Sequence, residues 1–282
     1  RPPMGPPRLY ANDAEEVWRD FMLGWLKKLL QGSEQSGSNA DPSQSQCPPL
    51  AVLVRYVPML GRLPVRDQKV LPGLIERFLA EKQFWGAEDL RVTERIKVTV
   101  AAQACVLILR RPEFWVYPKT REVILYPSEF GERITAIAPD GTPHVIEPDK
   151  VGETWNRGPV LLSWDRLQER GGFDDAGHNT VFHEFAHAID FLDGDANGLP
   201  PMESPEDRAR WHAVMTEAYE ALTFAVRNGR RTFLDPYGAT NPAEFFAVAT
   251  EQFFAGPRRL RRAHSAVYAA LRDFYKQDPA SW

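Results

Sequence analysis

The amino-acid sequence predicts an α+β fold, in which one group of helices precedes the strands of a small mixed sheet along the chain and a second group follows them. Apolar residues recur at helical spacing in residues 65–84 and 92–109, and again in residues 180–192, 208–226, 242–254 and 267–275. Between these two groups, short runs rich in Val, Ile, Tyr and Trp are broken by Pro, Gly and Asp, which is typical of strands. Strands are expected at residues 114–117, 122–126, 133–138 and 160–164. Segregation of strands from helices along the chain indicates the α+β class.

The chain is expected to contain three regions. Residues 1–30 include an amphipathic helix whose apolar stripe contains Trp18, Phe21 and Trp25. We expect this stripe to pack against the protein's own core, with a membrane surface or a partner protein as the alternative. Residues 31–49 are rich in Gly, Ser, Gln and Pro, which predicts a flexible linker. Residues 50–282 form the main domain.

Composition argues against several classes of protein. With 34 basic and 38 acidic side chains, the net charge is −4, so no basic excess is present to hold a nucleic-acid backbone. No apolar run approaches the roughly 20 residues that span a bilayer. Two cysteines, Cys47 and Cys105, are too few for a disulfide framework, and the N-terminal residues do not form a signal peptide. We therefore expect a cytoplasmic globular protein that binds neither nucleic acid directly nor a membrane.

The strongest chemical signal is the pentapeptide HEFAH, which places His183 and His187 four residues apart around Glu184. Residues four apart on a helix lie one turn above each other, so both imidazoles can bind one metal ion. Neutral imidazoles suit Zn²⁺, and Glu184 is rotated about 100° from His183, where its carboxylate can act as a general base toward water. Thr180 is expected to cap this helix, and Gly194 to end it.

A third protein ligand is expected from a later helix. Glu244 follows a predicted cap at Asn241 and lies among Phe and Ala residues, where an unpaired charge is costly. Glu251, two turns further along the same face, is the competing ligand, with an exposed ion pair or a supporting role as its alternatives. Asp190 is placed either to orient a ligand imidazole or to form a surface cap or ion pair. Three other histidines are expected to be ordinary surface or core residues: His178, His212 and His264.

These residues resemble a known family. The HEFAH motif and the segment YGATNPAEFFA, together with EQFF, FYKQDP, GPVLLSW and VILYPSEF, are similar to the Mlc titration factor A family of zinc metallopeptidases from about residue 50 onward. The catalytic part is also similar to the C-terminal domain of anthrax lethal factor. The resemblance implies a zincin-like domain with His183, His187 and Glu244 as zinc ligands and Glu184 as general base. It also implies that Tyr237 supports the tetrahedral intermediate; without the resemblance, Tyr237 is expected to be a packing residue.

The leading interpretation is a zinc peptidase with one Zn²⁺ per chain and a peptide as its substrate. The resemblance implies aminopeptidase-type cleavage of small or unstructured peptides. It also implies an alternative from another class, a regulatory protein that sequesters the glucose-responsive transcriptional repressor Mlc and so controls sugar-uptake genes. A purely structural zinc site fits poorly, because such sites favour Cys and fill all four positions with protein ligands. Residues 161–163 are expected either at a sheet edge that binds peptide as an extra strand or inside the sheet.

Overall fold

The computed structural model describes residues 47–114, 116–127, 134–137, 143–146, 158–168 and 177–282. Every helix and strand given below belongs to the compact unit Leu50–Trp282. The helix expected within residues 1–30 lies outside the described residues, as does most of the expected linker.

Three helices precede or flank the first strand: α1 (Leu50–Tyr56), α2 (Val65–Glu81) and α3 (Glu94–Ile108). The second begins at Val65 and contains Pro72 in its interior, so the proline does not mark a later helix start. Thr93 caps α3 by accepting a hydrogen bond from the Ile96 N–H at 3.3 Å. Twelve of the 15 residues of α3 are buried, which makes it a central helix of the unit.

The described strands form two sheets: β1 (Gln83–Gly86), β2 (Glu122–Tyr126) and β5 (Val160–Ser163) in one, β3 (Ile134–Ile137) and β4 (Pro143–Ile146) in the other. The first sheet is parallel throughout in the order β1-β2-β5, with Ile124 opposite both Trp85 and Leu161. The second is an antiparallel pair. The single mixed sheet expected from sequence is therefore replaced by a parallel sheet and a separate antiparallel pair. A short helix, α4 (Trp164–Gln168), follows β5 directly.

The strand predicted at residues 114–117 is wrong. A 3₁₀ turn, Pro112–Phe114, occupies its start, and Val116 and Tyr117 have φ values of 41° and 60°. These left-handed conformations cannot continue a strand. Burial compensates for the strain, because the Tyr117 hydroxyl donates to the Ala104 carbonyl at 2.6 Å and its ring lies 4.6 Å from that of Phe185.

The strands predicted near β2, β3 and β5 are confirmed, whereas β1 and β4 were not predicted. Residues 83 and 84 were expected to end the helix that starts at Val65, but α2 ends at Glu81. The pairing partner of β1 is β2, 39 residues further along the chain. A pairing over that distance leaves no local periodic signal in a strand of only four residues.

Five helices follow residue 179: α5 (Thr180–Asp190), α6 (Pro205–Arg227), α7 (Pro242–Ala255), α8 (Pro257–Ala263) and α9 (Ser265–Tyr275). Four of them agree with the predicted segments to within three residues at each end, and α8 was not predicted. The helix α5 packs against α3, α7 and β5, with Phe182 5.1 Å from Phe254 between ring centroids. Among the described residues, no helix has the length and apolar character needed to cross a membrane.

Candidate metal centre

The helix α5 carries the two histidines of the pentapeptide. It is capped by Asn179, whose Oδ1 accepts a hydrogen bond from the Phe182 N–H at 2.9 Å, so the predicted cap at Thr180 is wrong. The opposite, apolar face of the helix is buried in the core. The rings of His183 and His187 therefore lie together on a half-buried face, with their centroids 4.9 Å apart.

The helix α7 supplies the carboxylate. Asn241 caps it as predicted, since its Oδ1 accepts from the Glu244 N–H at 3.0 Å. Packing of α7 against α5 brings Oε2 of Glu244 to 3.0 Å from Nε2 of His183 and 3.3 Å from Nε2 of His187. The two ring nitrogens are 3.2 Å apart. These three residues, expected as ligands, each offer one donor atom, and the donor atoms all lie within 4.8 Å of one another.

Glu251 lies on the other side of the His183 ring. Its Oε1 is 2.8 Å from Nδ1 of His183, and its Oε2 accepts from the Asn179 N–H at 2.5 Å. The side chain is 5% exposed. Of the roles left open for Glu251, this geometry matches support of a ligand imidazole. Since an ionised carboxylate only accepts hydrogen bonds, Nδ1 carries a proton, and in the neutral imidazole Nε2 presents its lone pair to the cluster.

Nε2 of His183, Nε2 of His187 and Oε2 of Glu244 thus converge. The repulsion between their lone pairs is relieved only when a proton or a cation lies among them. Burial disfavours the charged imidazolium, but hydrogen bonds to Glu244 and Glu251 outweigh it and raise the pKa of His183 to about 10. Burial also disfavours ionised Glu244, yet its hydrogen bonds with His183 and His187 lower its pKa to about 2. The two shifts favour an ionised Glu244 carboxylate beside a positive charge on the His183 side. Two imidazoles and one carboxylate are donors suited to a divalent transition-metal ion, so these residues fit a metal.

Glu184 and Tyr237 border this cluster. Burial raises the pKa of the Glu184 carboxyl above its usual range. Tyr237 lies on the 3₁₀ turn Pro236–Ala239, with its ring centroid 6.0 Å from that of His183, and it is 55% exposed. Partial burial, together with the nearby carboxylates of Glu244 and Glu184, raises the pKa of Tyr237. The phenol therefore keeps its proton at neutral pH.

The turn that carries Tyr237 is tied to the start of α5. Oδ1 of Asp235 accepts from the Tyr237 N–H at 2.7 Å, and its Oδ2 lies 2.8 Å from Nε2 of His178. His178 immediately precedes the cap residue Asn179. His178 is 43% exposed and is not one of the three donors, which agrees with the expected surface role, and it links the two segments that flank the cluster.

A buried network of hydrogen bonds, which was not predicted from the sequence, connects the cluster to α3. The Asn179 amide donates to Oε1 of Gln103 at 2.6 Å, and Gln103 is fully buried in α3. The connected chain of hydrogen bonds runs from Gln103 through Asn179 and Glu251 to His183. The available sequence signal was a glutamine inside an otherwise largely apolar helix, since buried polar groups need partners.

Asp190 matches neither of its expected roles. It is fully buried, and its Oδ2 accepts from the Gly198 N–H at 2.7 Å. Gly198 adopts φ +77°, and an added Cβ would come within 2.4 Å of the Pro242 carbonyl oxygen. Asp190 therefore fixes the loop after α5 against the start of α7, which carries the carboxylate of the cluster.

An α+β unit with two histidines one turn apart on one helix and a glutamate from a second helix has the architecture of a metallopeptidase-type domain. Comparison with known sequences identifies the family. The chain belongs to the glucose-regulated metallo-peptidase M90 family, whose profile matches residues 33–276.

Relatives cover most of the chain. An uncharacterized protein of Synechocystis sp. is 36% identical over 233 residues, which are 81% of this chain and 83% of the relative. Mlc titration factor A of Salmonella arizonae is 31% identical over 231 residues, covering 79% and 89% of the two chains. Mlc titration factor A of Yersinia pestis is 31% identical over 233 residues, covering 79% and 82%. The predicted family is confirmed.

Proposed function

We propose that this protein is a zinc-dependent peptidase of the aminopeptidase type. The observation that carries the proposal is the convergence of Nε2 of His183, Nε2 of His187 and Oε2 of Glu244. These three residues would hold a zinc ion and leave it accessible to water or substrate, since catalytic zinc sites have three protein ligands and structural sites have four. Membership of a metallo-peptidase family supports the same conclusion.

Glu184 is the proposed general base. When bound, Zn²⁺ supplies Lewis acidity that acidifies water and polarises a carbonyl. Glu184 accepts the proton of the attacking water while the water oxygen bonds to the scissile carbonyl carbon. It then delivers that proton to the leaving nitrogen as the C–N bond breaks. Its raised pKa suits this exchange, because a group that takes and returns a proton works best when its pKa approaches the working pH.

Tyr237 is proposed to stabilise the negative charge that develops on the carbonyl oxygen. Its phenol is protonated at neutral pH and can donate a hydrogen bond to that oxygen. The exposed ring borders the metal cluster, so substrate can reach it without rearrangement of the core. Asp235 accepts a hydrogen bond from the Tyr237 N–H and contacts His178, and these contacts hold the turn in place.

Hydrolysis of aminoacyl p-nitroanilides by the zinc-loaded protein tests the proposal. The Glu184→Gln variant is expected to retain its metal, measured by mass spectrometry of the protein's metal content, and to lose at least 100-fold in kcat. Glu220→Gln, at an exposed position of α6, is the matched control and keeps full activity. Unchanged hydrolysis by Glu184→Gln, or after complete removal of the metal, would refute the mechanism.

The aminopeptidase preference rests on the family resemblance and has a separate test. Peptides with a free α-amino group are expected to be cleaved, whereas the same peptides with an N-acetyl group are not. Faster cleavage of the acetylated peptides would show an endopeptidase instead, and the general-base role of Glu184 would still stand.

A second candidate function is binding of a glucose-responsive transcriptional repressor. The relatives named Mlc titration factor A, at 31% identity, favour it. A pull-down with a purified Mlc-type repressor tests this function, using the wild type and His183→Ala. Binding by both proteins would show a regulatory role independent of the metal, and binding by neither would remove this candidate.

A further inference from the structure

Six exposed arginines lie on α8 and on the loop that leads to Tyr237, in a chain whose net charge is −4. Two belong to the loop after α6 and four to α8, and together they are called the arginine patch: Arg230, Arg231, Arg258, Arg259, Arg261 and Arg262. Residues 227–262 contain seven arginines but only three acidic residues. Of those three, Glu244 belongs to the metal cluster and Glu251 is hydrogen-bonded to His183 of that cluster.

Contacts between rings join the loop and the helix into one surface. The ring of Phe233 lies 5.8 Å from that of His264, which follows α8. The guanidinium carbon of Arg259 is 5.9 Å from the Phe233 ring centroid. The charges of the loop therefore lie beside those of α8.

Within the described part of the chain, none of the six arginines forms an ion pair. Arg230 lies over the Phe224 ring at 5.2 Å and Arg261 over the Tyr268 ring at 5.9 Å, while Arg258 donates to the Ala280 carbonyl at 3.3 Å. A guanidinium that rests on an aromatic ring still has N–H groups at its edge, and these match both oxygens of a carboxylate.

The loop that carries Arg230 and Arg231 leads directly into the turn of Tyr237. Phe233 and Arg231 lie four and six residues before Tyr237, so their Cα atoms are at most ~14 Å and ~21 Å from that of Tyr237. Asp235, between them, anchors the turn of Tyr237. An extended peptide covers that distance with about four to six residues.

We propose that the arginine patch binds acidic side chains of the substrate, about four to six residues beyond the scissile bond on its C-terminal side. This inference rests on the proposed aminopeptidase function, since only the C-terminal part of such a substrate extends away from the site. The substrate class is therefore peptides with Asp or Glu near their fifth residue. A long nucleic acid fits less well, because the acidic net charge of the whole chain opposes its approach.

Two peptides that differ only in Glu-Glu or Gln-Gln at positions five and six provide the test. The zinc-loaded wild type is expected to cleave the first residue from the Glu-Glu peptide with a kcat/KM about fivefold to tenfold higher. Arg231→Glu/Arg262→Glu is expected to abolish or reverse the preference and to leave the Gln-Gln rate unchanged. Raising NaCl from 0.05 to 0.5 M is expected to reduce the preference in the wild type, because salt screens exposed charges.

A control variant with the same change in charge outside the patch distinguishes an effect of the patch on the cleavage preference from an effect of the protein's net charge. Arg62→Glu/Lys69→Glu alters two exposed cations outside the patch by the same total charge and is expected to keep the preference. Equal cleavage of both peptides by the wild type would overturn the patch proposal while leaving the peptidase function intact. Cleavage of neither peptide would instead refute the peptidase function and, with it, the proposal. Tighter binding of a single-stranded oligonucleotide than of the Glu-Glu peptide, lost in Arg231→Glu/Arg262→Glu, would also overturn it.

Discussion

The Glu251→Ala variant separates a residue that supports a ligand from a residue that binds the metal. Glu251 accepts from Nδ1 of His183 at 2.8 Å and from the Asn179 N–H at 2.5 Å, and it is nearly fully buried. Its removal leaves two buried donors without an acceptor and frees the His183 ring to change tautomer and orientation. Glu244→Ala, by contrast, removes a donor atom from the cluster itself.

The expected effects follow from these two lost hydrogen bonds. Each unsatisfied buried donor costs about 1–3 kcal/mol, so the free energy of unfolding of the metal-free protein is expected to fall by about 2–6 kcal/mol. Partners that orient a ligand imidazole contribute about 10–100-fold in metal affinity. This range corresponds to about 1.4–2.7 kcal/mol of binding free energy. Glu244→Ala is expected to lose more affinity than this.

Competition between the protein and a zinc-chelating dye measures the affinity, and urea titration of metal-free protein measures stability. Thr250→Val is a matched control one position away on α7, since it removes a buried hydrogen bond to the Tyr275 hydroxyl at 2.9 Å without touching the cluster. It is expected to lower stability and leave zinc affinity unchanged. Zinc affinity of Glu251→Ala within twofold of the wild type, or as low as that of Glu244→Ala, would refute the supporting role.

Three further predictions follow from the structure. Tyr237→Phe is expected to lower kcat about 100-fold with little change in KM, and Asp235→Ala is expected to lower kcat about tenfold. Asp235→Asn keeps an acceptor for the Tyr237 N–H and is expected to retain most of the wild-type rate. Equal loss of kcat in both Asp235 variants would contradict the anchoring role of Asp235. Burial, partly offset by the Gly198 N–H, raises the pKa of Asp190 from 3.8 to about 6, so its stabilising contribution is present below pH 3.8 and lost as the pH rises through about 6. In urea titrations of metal-free protein, the stability of the wild type relative to Asp190→Asn should fall by about 3 kcal/mol from pH 3.5 to pH 8, and a pH-independent difference would argue against this. Zinc at about 100 times its Kd should stabilise the fold by about 2.7 kcal/mol and raise the Tm by about 5–10 °C, an increase that His187→Ala should abolish.

Sequence periodicity predicted the long helices well, because their apolar faces repeat every turn and their ends carry recognisable caps such as Asn241. It failed where tertiary contacts decide local structure. Val116 and Tyr117 have strand-forming side chains but adopt positive φ, since the buried hydroxyl contact of Tyr117 with the Ala104 carbonyl outweighs their local preference. The expected division at residues 30 and 49 and the expected cytoplasmic location stay predictions.

Residues of the candidate site were predicted correctly where their signal lies in neighbouring residues of the sequence. The histidine pair follows from one turn of a helix, and Glu244 from a carboxylate among apolar neighbours after a helix cap. The role of Glu251 was one of several left open, and that of Gln103 was not found. Both depend on hydrogen bonds between residues that are 68 to 76 positions apart, and no local pattern encodes such a distance.

The proposed metal donors come from two helices that lie far apart along the chain. A growing polypeptide exposes the histidines of α5 well before α7 has been synthesised, and until then the third donor does not exist. Two imidazoles alone hold zinc weakly compared with a complete set of protein ligands. The proposed metal centre is therefore completed only after α7 has been made, and a chain that ends before residue 242 is expected to lack it.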